Sequence, residues 1–301
     1  PSALEAGGFF RIFSLLQLFL SFSRLFLYNE SKAQPDQTRK GDLFMWTRAL
    51  LKDNAKYAMR GRFGKCLLAS LAVDAIPFLY SLILIIAMYV ILLPLYFSVR
   101  QNPSYYETQR GAWDLLAQIN NFYSRFNTAQ LLNLALSVFV VLPLAVGSAR
   151  FFVHNRFGHV DLNLVKTGFT ANYGNTLGAM FTTRLFIALW SLLFTIPGIY
   201  KSYQYCMVPY LLSDNPSLSG SRAREISRMM TDGEKGRIFV LDLSFLGWNL
   251  LGALTLGIGT LFVNAYYRAT MAELYVCLRG NALQRGYVTP AELNLAPPHL
   301  R

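Results

Sequence analysis

The sequence is poor in charged residues and in cysteine. Asp, Glu, Lys and Arg together make up 15% of the 301 residues, whereas hydrophobic residues make up 53%. This balance excludes an ordinary water-soluble globular domain, because such a domain needs a charged surface around its core. The three cysteines, Cys66, Cys206 and Cys277, are too few and too dispersed for a disulfide framework. We therefore expect reduced thiols packed among helices.

Motifs of catalysis and cofactor binding are also missing. There is no nucleophile elbow, Walker loop or dinucleotide fingerprint. His154, His159 and Asp161 do not have the spacing of a compact set of metal ligands. We therefore expect no enzymatic activity, no catalytic residue, no cofactor and no metal.

Basic residues outnumber acidic ones, 28 to 16, and the net charge is +12. The lysines and arginines lie in the gaps between apolar runs, whereas nucleic-acid-binding proteins carry them as a continuous stripe on a polar domain. Membrane proteins are enriched in Lys and Arg on their cytoplasmic side. The charge pattern therefore predicts a membrane protein with no nucleic-acid partner and with both termini in the cytoplasm.

Long apolar runs dominate the C-terminal part of the chain. Residues 238–254 and 260–278 are two such runs, and they meet at Gly257-Ile258-Gly259. Glycine tolerates the positive φ that a tight reversal needs, and each run has about the ~20 residues that cross a ~30 Å hydrocarbon layer as a helix. This pattern predicts a transmembrane helical hairpin.

Earlier apolar runs complete an all-α, polytopic membrane bundle of six transmembrane helices arranged as three hairpins. The first four predicted spans are residues 66–99, 129–149, 177–196, and a more polar run from the Pro197-Gly198 turn through Leu212. An amphipathic, interfacial helix, which we call an elbow helix, is predicted before each hairpin, at residues 46–60, 161–170 and 222–230. The three elbow and hairpin units resemble one another weakly, through either an internal repeat or convergent membrane-entry chemistry.

Three regions follow from this pattern. Residues 1–45 hold an amphipathic helix and a polar linker, residues 46–278 form the six-span membrane domain, and residues 279–301 form a polar tail. Residues 100–128 are predicted to be a polar, aromatic outer loop with some helical content. The helix at residues 9–28 has a narrow polar line that suits the membrane interface, but its length also permits a span, which would move the N-terminus outside.

Ionisable side chains at membrane depth are costly, so they are the first candidates for function. Five are predicted there: Asp74, Arg184, Asp242, Arg268 and Glu273. Asp74 and Arg184 lie equally far after Gly64 and Gly174, and Asp242 lies at a similar depth. We therefore predict a cluster of Asp74, Arg184 and Asp242, which forms either a polar path or a pin that sets helix register.

Arg268 and Glu273 have a poor spacing for pairing on one helix, and the alternative for either is a partner on another helix. Glu273 lies close enough to the inner end of its span to reach water, whereas Arg268 does not. The fourth span is the most polar of the six. Its candidate cavity-lining residues are Tyr200, Lys201, Tyr203, Gln204 and Tyr205. These side chains line either a cavity or the aromatic belt of the outer interface.

The run LWSLLFTIPGIYKSYQYCMVPYLLSDNP, with IPGI at residues 196–199, and the later LDLSFLGW at residues 241–248 resemble a known family. It is the bacterial integral-membrane family called domain of unknown function 975, and the likeness covers residues 46–278. One departure is Ala265, where the family often has proline before the tyrosine. The resemblance implies a multi-pass protein of the bacterial plasma membrane and provides no catalytic residue.

Two functions are compatible with the sequence. The leading hypothesis is a non-enzymatic accessory or scaffold subunit that engages anionic lipid headgroups on the cytoplasmic face, and partner membrane proteins, through the elbow helices. The predicted headgroup contacts are Lys52, Lys56, Arg60, Arg62, Arg222, Arg224, Arg228, Lys235 and Arg237. The alternative is a small transporter or channel whose polar path follows Asp74, Arg184, Asp242 and the fourth span.

Overall fold

The computed structural model describes residues 39–40, 43–158, 161–170, 172–255 and 257–295. These residues are helical apart from connections and one short strand pairing, as the sequence predicts. In that pairing, β1 (Arg39–Lys40) runs antiparallel to β2 (Leu43–Phe44) just before the first helix. The helix predicted at residues 9–28 lies outside the described residues.

The chain divides into two compact units, which are described separately. The hairpin unit is Val73–Val141, and the bundle unit consists of the residues before and after it. One long helix, α2 (Phe63–Gln101), begins in the bundle unit and runs through the first half of the hairpin unit.

The hairpin unit returns through two further helices, α3 (Pro103–Tyr106) and α4 (Gln109–Leu136). Thr108 caps α4, because its hydroxyl accepts a hydrogen bond from the Gly111 N–H at 3.1 Å. The region predicted as an outer loop is therefore mostly helical. A π-helical segment, Ser137–Val141, ends the unit.

The bundle unit contains the remaining helices. In chain order they are α1 (Arg48–Met59), α5 (Leu142–Arg156), a 3-10 segment (Leu162–Lys166) leading into α6 (Thr167–Thr170), α7 (Tyr173–Leu193), α8 (Thr195–Gln204), α9 (Val208–Asp214), α10 (Gly220–Met230), α11 (Lys235–Leu254) and α12 (Ile258–Gln284). The elbow helices are α1, the 3-10 segment with α6, and α10.

Each elbow helix is separated from the membrane helix that follows by a residue with positive φ. These residues are Gly61 at +70°, Asn172 at +52° and Gly233 at +73°. Glycine adopts this left-handed backbone at no steric cost, and asparagine tolerates it better than most residues. A left-handed residue at this position is therefore a feature that the three elbow and hairpin units share, although their sequences differ.

The elbow helices also pack in a common way. The 3-10 segment and α6 pack on α5, α10 packs on α9 and α7, and α1 packs on α12. Each elbow helix thus contacts the second helix of another hairpin, and in the first two cases it is the hairpin that precedes it in the chain. Helix α5 in turn packs against both α9 and α12, so these three helices form the middle of the bundle unit.

Two glycines let the second elbow helix touch α5 backbone to backbone. A Cβ atom on Gly147 would lie 1.9 Å from the carbonyl oxygen of Val165, and one on Gly168 would lie 1.9 Å from the carbonyl oxygen of Pro143. Because both obstacles are backbone atoms, a side chain at either position cannot be accommodated by a rotamer change.

Four helical stretches in the described part of the chain are long and apolar enough to cross a membrane: Phe63–Gln101, Gln109–Arg156, Tyr173–Leu193 and Lys235–Leu254. The predicted fourth and sixth spans are not among these four stretches: the fourth consists of the short helices α8 and α9, and the sixth lies in α12. The turn before the fourth span also lies earlier than predicted, at Phe194, and Pro197 and Gly198 lie inside α8. The last reversal is confirmed at Gly257, with φ +81°. Helix α12 continues to Gln284, beyond the predicted boundary at residue 278.

Candidate functional site

The break between α8 and α9 is a polar interruption in the bundle unit. It leaves backbone groups without helical partners, and a hydroxyl of the third elbow helix binds them. The Ser227 hydroxyl donates to the Gln204 carbonyl at 2.8 Å and accepts from the Met207 N–H at 3.3 Å. Pro209 lies at the start of α9 and has no N–H to donate, which explains why one continuous helix does not form.

A cavity of about 400 Å³ lies beside this break. Its polar lining residues come from the break itself and from α7, α8, α11 and α12. They include Thr183, Arg184, Tyr203, Tyr205, Cys206, Asp242, Asn264, Tyr267 and Arg268. We call this space the central cavity. Its volume falls within the range of sites that bind small molecules.

The described lining of the central cavity carries more positive than negative side chains. Arg184 on α7 and Arg268 on α12 contribute two positive charges, and Asp242 on α11 contributes one negative charge. The Tyr267 hydroxyl donates a hydrogen bond to Asp242 Oδ1 at 3.0 Å, which orients the carboxylate. The excess of positive charge suits a small anion.

These charges lie deep along their helices. Arg184 is in the middle of α7, about 16 Å from its first residue at about 1.5 Å per residue. Arg268 lies about 15 Å along α12 from the Gly257 turn. In a ~30 Å hydrocarbon layer such positions are near the midplane if the helices cross it end to end.

The predicted intramembrane residues therefore have different surroundings. Arg184, Asp242 and Arg268 line the central cavity together. Asp74 belongs to the hairpin unit, so its part in the cluster stays a prediction. Glu273 lies elsewhere on α12, where its Oε2 is 2.8 Å from Nε of Arg156 on α5. Of the two alternatives for Glu273, water or a partner on another helix, the structure has the partner.

The five fourth-span residues predicted to line a cavity also have different surroundings. Tyr203 and Tyr205 line the central cavity. The Lys201 ammonium lies 5.3 Å from the centre of the Trp190 ring, and the Lys235 ammonium lies 5.0 Å from the centre of the Tyr200 ring. These are cation–π contacts between helices. Gln204 is buried, and its carbonyl binds the elbow helix.

Sequence reasoning missed Asn264, Tyr267 and Tyr210 as cavity residues. For two of them, the spacing in the sequence contained a pattern that could have identified them. Asn264 and Tyr267 share one face of α12 with Arg268 and Met271, because residues three or four apart lie on the same side of a helix. Tyr210 offered no such signal, since tyrosine beside leucines is equally typical of packing.

Most of the nine lysines and arginines that were predicted to contact lipid headgroups, which we call the elbow cations, contact other groups of the protein. Lys52 Nζ lies 4.4 Å from the centre of the Phe245 ring and donates to the Ser244 carbonyl at 3.3 Å. Burial, with the charges of Lys56 and Arg48, lowers the pKa of the Lys52 ammonium. Other contacts join Lys56 to Asp53, Arg62 to the Asn155 carbonyl, Arg224 to Thr182, Lys235 to Asp232, and Arg237 to Glu234 and the Trp46 carbonyl.

Arg222 has the largest set of contacts. It binds Glu292 through Nε at 2.7 Å and through a second nitrogen at 3.3 Å, and it also pairs with Glu225. The hydrogen bonds from Arg222 lower the pKa of the Glu292 carboxyl. Arg60 and Arg228 differ, because both are exposed and neither side chain has a partner among the described residues. Headgroup binding by the nine cations stays a prediction.

The described residues contain no group of three or more His, Cys, Asp or Glu side chains placed to hold a metal ion. The family model described as "Protein of unknown function (DUF975)" matches residues 45–282. No curated protein and no solved structure matches the chain.

Proposed function

The chain belongs to the family Protein of unknown function (DUF975), and because that family names no activity, we propose a function from the central cavity. The protein is a non-enzymatic, multi-pass protein of the bacterial plasma membrane, with six membrane-crossing segments in three hairpins. It binds a small anion in the central cavity and moves it across the membrane.

One observation supports transport above all. The interrupted segment formed by α8 and α9 borders a cavity that holds charged groups from three other helices. Membrane transporters place their substrate sites near the bilayer midplane and build them from discontinuous helices. An interruption in lipid is tolerated only where other groups bind the freed backbone, as Ser227 does here.

The charges support an anion as the substrate class. Asp242 already accepts a hydrogen bond from Tyr267, and two arginines face the same space. Arginine binds carboxylate and phosphate groups through paired N–H donors. A cation would meet two positive charges in this cavity, which is unfavourable in a medium of low dielectric constant.

Uptake into proteoliposomes tests this function. Radiolabelled phosphate and radiolabelled acetate are the probes, and wild type is compared with Arg184→Gln. Losing one charge-assisted contact costs about 1.5–3 kcal/mol, so we expect uptake at low probe concentration to fall about 10- to 100-fold. Arg60→Gln is the matched control, because it removes an exposed arginine outside the cavity. Equal uptake by empty liposomes and by the wild-type protein argues against transport of these anions.

A second candidate is the accessory or scaffold role that engages anionic lipid through the elbow helices. It is favoured by Arg60 and Arg228, the two of these nine cations whose side chains are exposed and have no partner in the described part of the chain. We expect the double variant Arg60→Gln, Arg228→Gln to retain less phosphatidylglycerol after purification than wild type. Unchanged lipid retention in native mass spectrometry would count against this role.

A further inference from the structure

A second cavity, of about 620 Å³, lies where the three middle helices of the bundle unit come to their ends. Arg150 and His154 on α5, Asp214 on α9 and Arg279 on α12 line it. Leu293 and Leu295, from the segment that follows α12, form another wall. We call this space the terminal cavity. None of its residues was predicted to have a function.

Two stacked tyrosines lie between the terminal cavity and the central cavity. Tyr210 lines the central cavity, and its ring centre lies 5.3 Å from that of Tyr275. The Tyr275 hydroxyl donates to Asp214, which lines the terminal cavity. Both rings are buried, so the two cavities are separate sites along α9 and α12.

In the terminal cavity, Arg279 is paired with a carboxylate, whereas Arg150 is available to bind a ligand. Asp214 Oδ2 accepts hydrogen bonds from the Tyr275 hydroxyl at 2.6 Å and from Arg279 at 2.8 Å, so Arg279 compensates its charge. Nε of Arg150 is buried and has no hydrogen-bond partner among the described residues. A buried donor without a partner is costly, and a bound acceptor would remove that cost.

Most of the remaining lining of the terminal cavity is apolar, and an ion pair holds the segment that carries part of it. Val153 of α5 and Phe157, which follows α5, line the same space as Leu293 and Leu295. The segment that carries the two leucines is fixed by the Arg222–Glu292 ion pair and by the Asn215 side chain, which donates to the Glu292 carbonyl at 2.9 Å. A ligand here therefore meets one cationic corner and an apolar enclosure.

We propose that the terminal cavity is a binding site for a small organic anion, a phosphate or carboxylate joined to an apolar group, with Arg150 as its main contact. This site is independent of the proposed transport function, because it shares no charged residue with the central cavity. The apolar group would lie against Phe157 and the two leucines, while the acidic group would bind the Arg150 guanidinium.

Phenyl phosphate is a suitable probe, since it combines a phosphate with a ring, and phenol is its neutral control. We expect phenyl phosphate to raise the thermal unfolding midpoint of the detergent-solubilised protein saturably, and phenol to have no comparable effect. In Arg150→Gln the apparent dissociation constant should rise about 10- to 100-fold, whereas Arg150→Lys should weaken binding less.

Arg184→Gln separates this proposal from the proposed function. It changes the central cavity alone, so phenyl phosphate should stabilise it as it stabilises wild type. Leu295→Trp is the second test, because it fills the terminal cavity without removing a charge, and it should also abolish the response. Equal stabilisation of wild type, Arg150→Gln and Leu295→Trp would overturn the proposal, and so would a response that is lost in Arg184→Gln and kept in Arg150→Gln.

Discussion

The bundle unit and the hairpin unit bury their side chains to very different extents. Within residues 73–141 only Val73 and Gly111 are buried. The bundle unit buries a large apolar core together with the side chains of Glu273 and Arg279. The apolar surface of the hairpin unit therefore suits lipid, whereas the bundle unit holds the polar groups that need protein partners. In such a chain, specific contacts and stability should depend mainly on the bundle unit.

The largest effect on folding is expected from Gly168→Ala in the bundle unit. The added methyl group would overlap the backbone of Pro143, and no side-chain movement can relieve that overlap. We expect no monodisperse folded protein in size-exclusion chromatography. Gly64→Ala is the control, since a Cβ atom there meets nothing within 4 Å. Recovery of Gly168→Ala with an unchanged unfolding midpoint would show that the two backbones are not in close contact.

The next largest effect is expected from the buried Arg156–Glu273 ion pair. Glu273→Leu leaves the Arg156 guanidinium, whose side chain is 13% exposed, without its carboxylate. Breaking a buried pair costs about 3–5 kcal/mol. The free energy of unfolding, measured in mixed micelles, should fall by about this amount. The double variant Arg156→Met, Glu273→Leu should recover much of the loss, and a double variant less stable than Glu273→Leu contradicts this explanation.

A smaller effect is expected from pH, through Glu292. Arg222 holds the folded-state pKa of Glu292 below the ordinary value of 4.5, so the folded state binds a proton less readily than the unfolded state. The stability that this pair provides is therefore fully present above pH 4.5 and is lost as the pH falls through the folded-state pKa. Because the pair is partly exposed, we expect about 0.5–1 kcal/mol. In Glu292→Gln this part of the pH dependence should disappear, and an identical pH profile in both proteins refutes it.

The smallest effect is expected in the hairpin unit, from Tyr80→Phe. The Tyr80 hydroxyl donates to Gln130 Oε1 at 3.0 Å in an exposed contact between α2 and α4. Hydrogen bonds between membrane helices are worth about 0.6 kcal/mol on average. The unfolding free energy should therefore change by roughly 0.5 kcal/mol or less. A loss as large as that of Glu273→Leu would remove the contrast between the two units.

The sequence predicted those parts of the fold that follow from single residues. Gly61, Gly233 and Gly257 mark left-handed turns because glycine favours that backbone. The left-handed residue after the second elbow helix, Asn172, was not predicted, since asparagine occurs in many other conformations. The region 100–128 was predicted as a loop because its many polar residues hide the helical period, although Thr108 was available as a cap.

The cost of burying a charge selected five residues from the sequence: Asp74, Arg184, Asp242, Arg268 and Glu273. Three of them, Arg184, Asp242 and Arg268, line one cavity, whereas Glu273 pairs with Arg156 elsewhere and the place of Asp74 in the cluster stays a prediction. The terminal cavity was not predictable, because Arg150 and Arg279 resemble other positive residues near the ends of helices. The contacts of Lys52, Arg222 and Arg237 were also not predictable, because each joins segments far apart in the sequence.

Thiol modification of Cys206 in proteoliposomes is the most direct test of anion binding in the central cavity. Cys206 lines this cavity, while Cys66 and Cys277 are buried. An anionic and a cationic methanethiosulfonate reagent are compared by their rates with Cys206, each relative to its rate with a free thiol. We expect Cys206 to react, the anionic reagent to be favoured, and Arg184→Gln to reduce this preference. A Cys206 as unreactive as Cys66, or a preference for the cationic reagent, would contradict anion binding in this cavity.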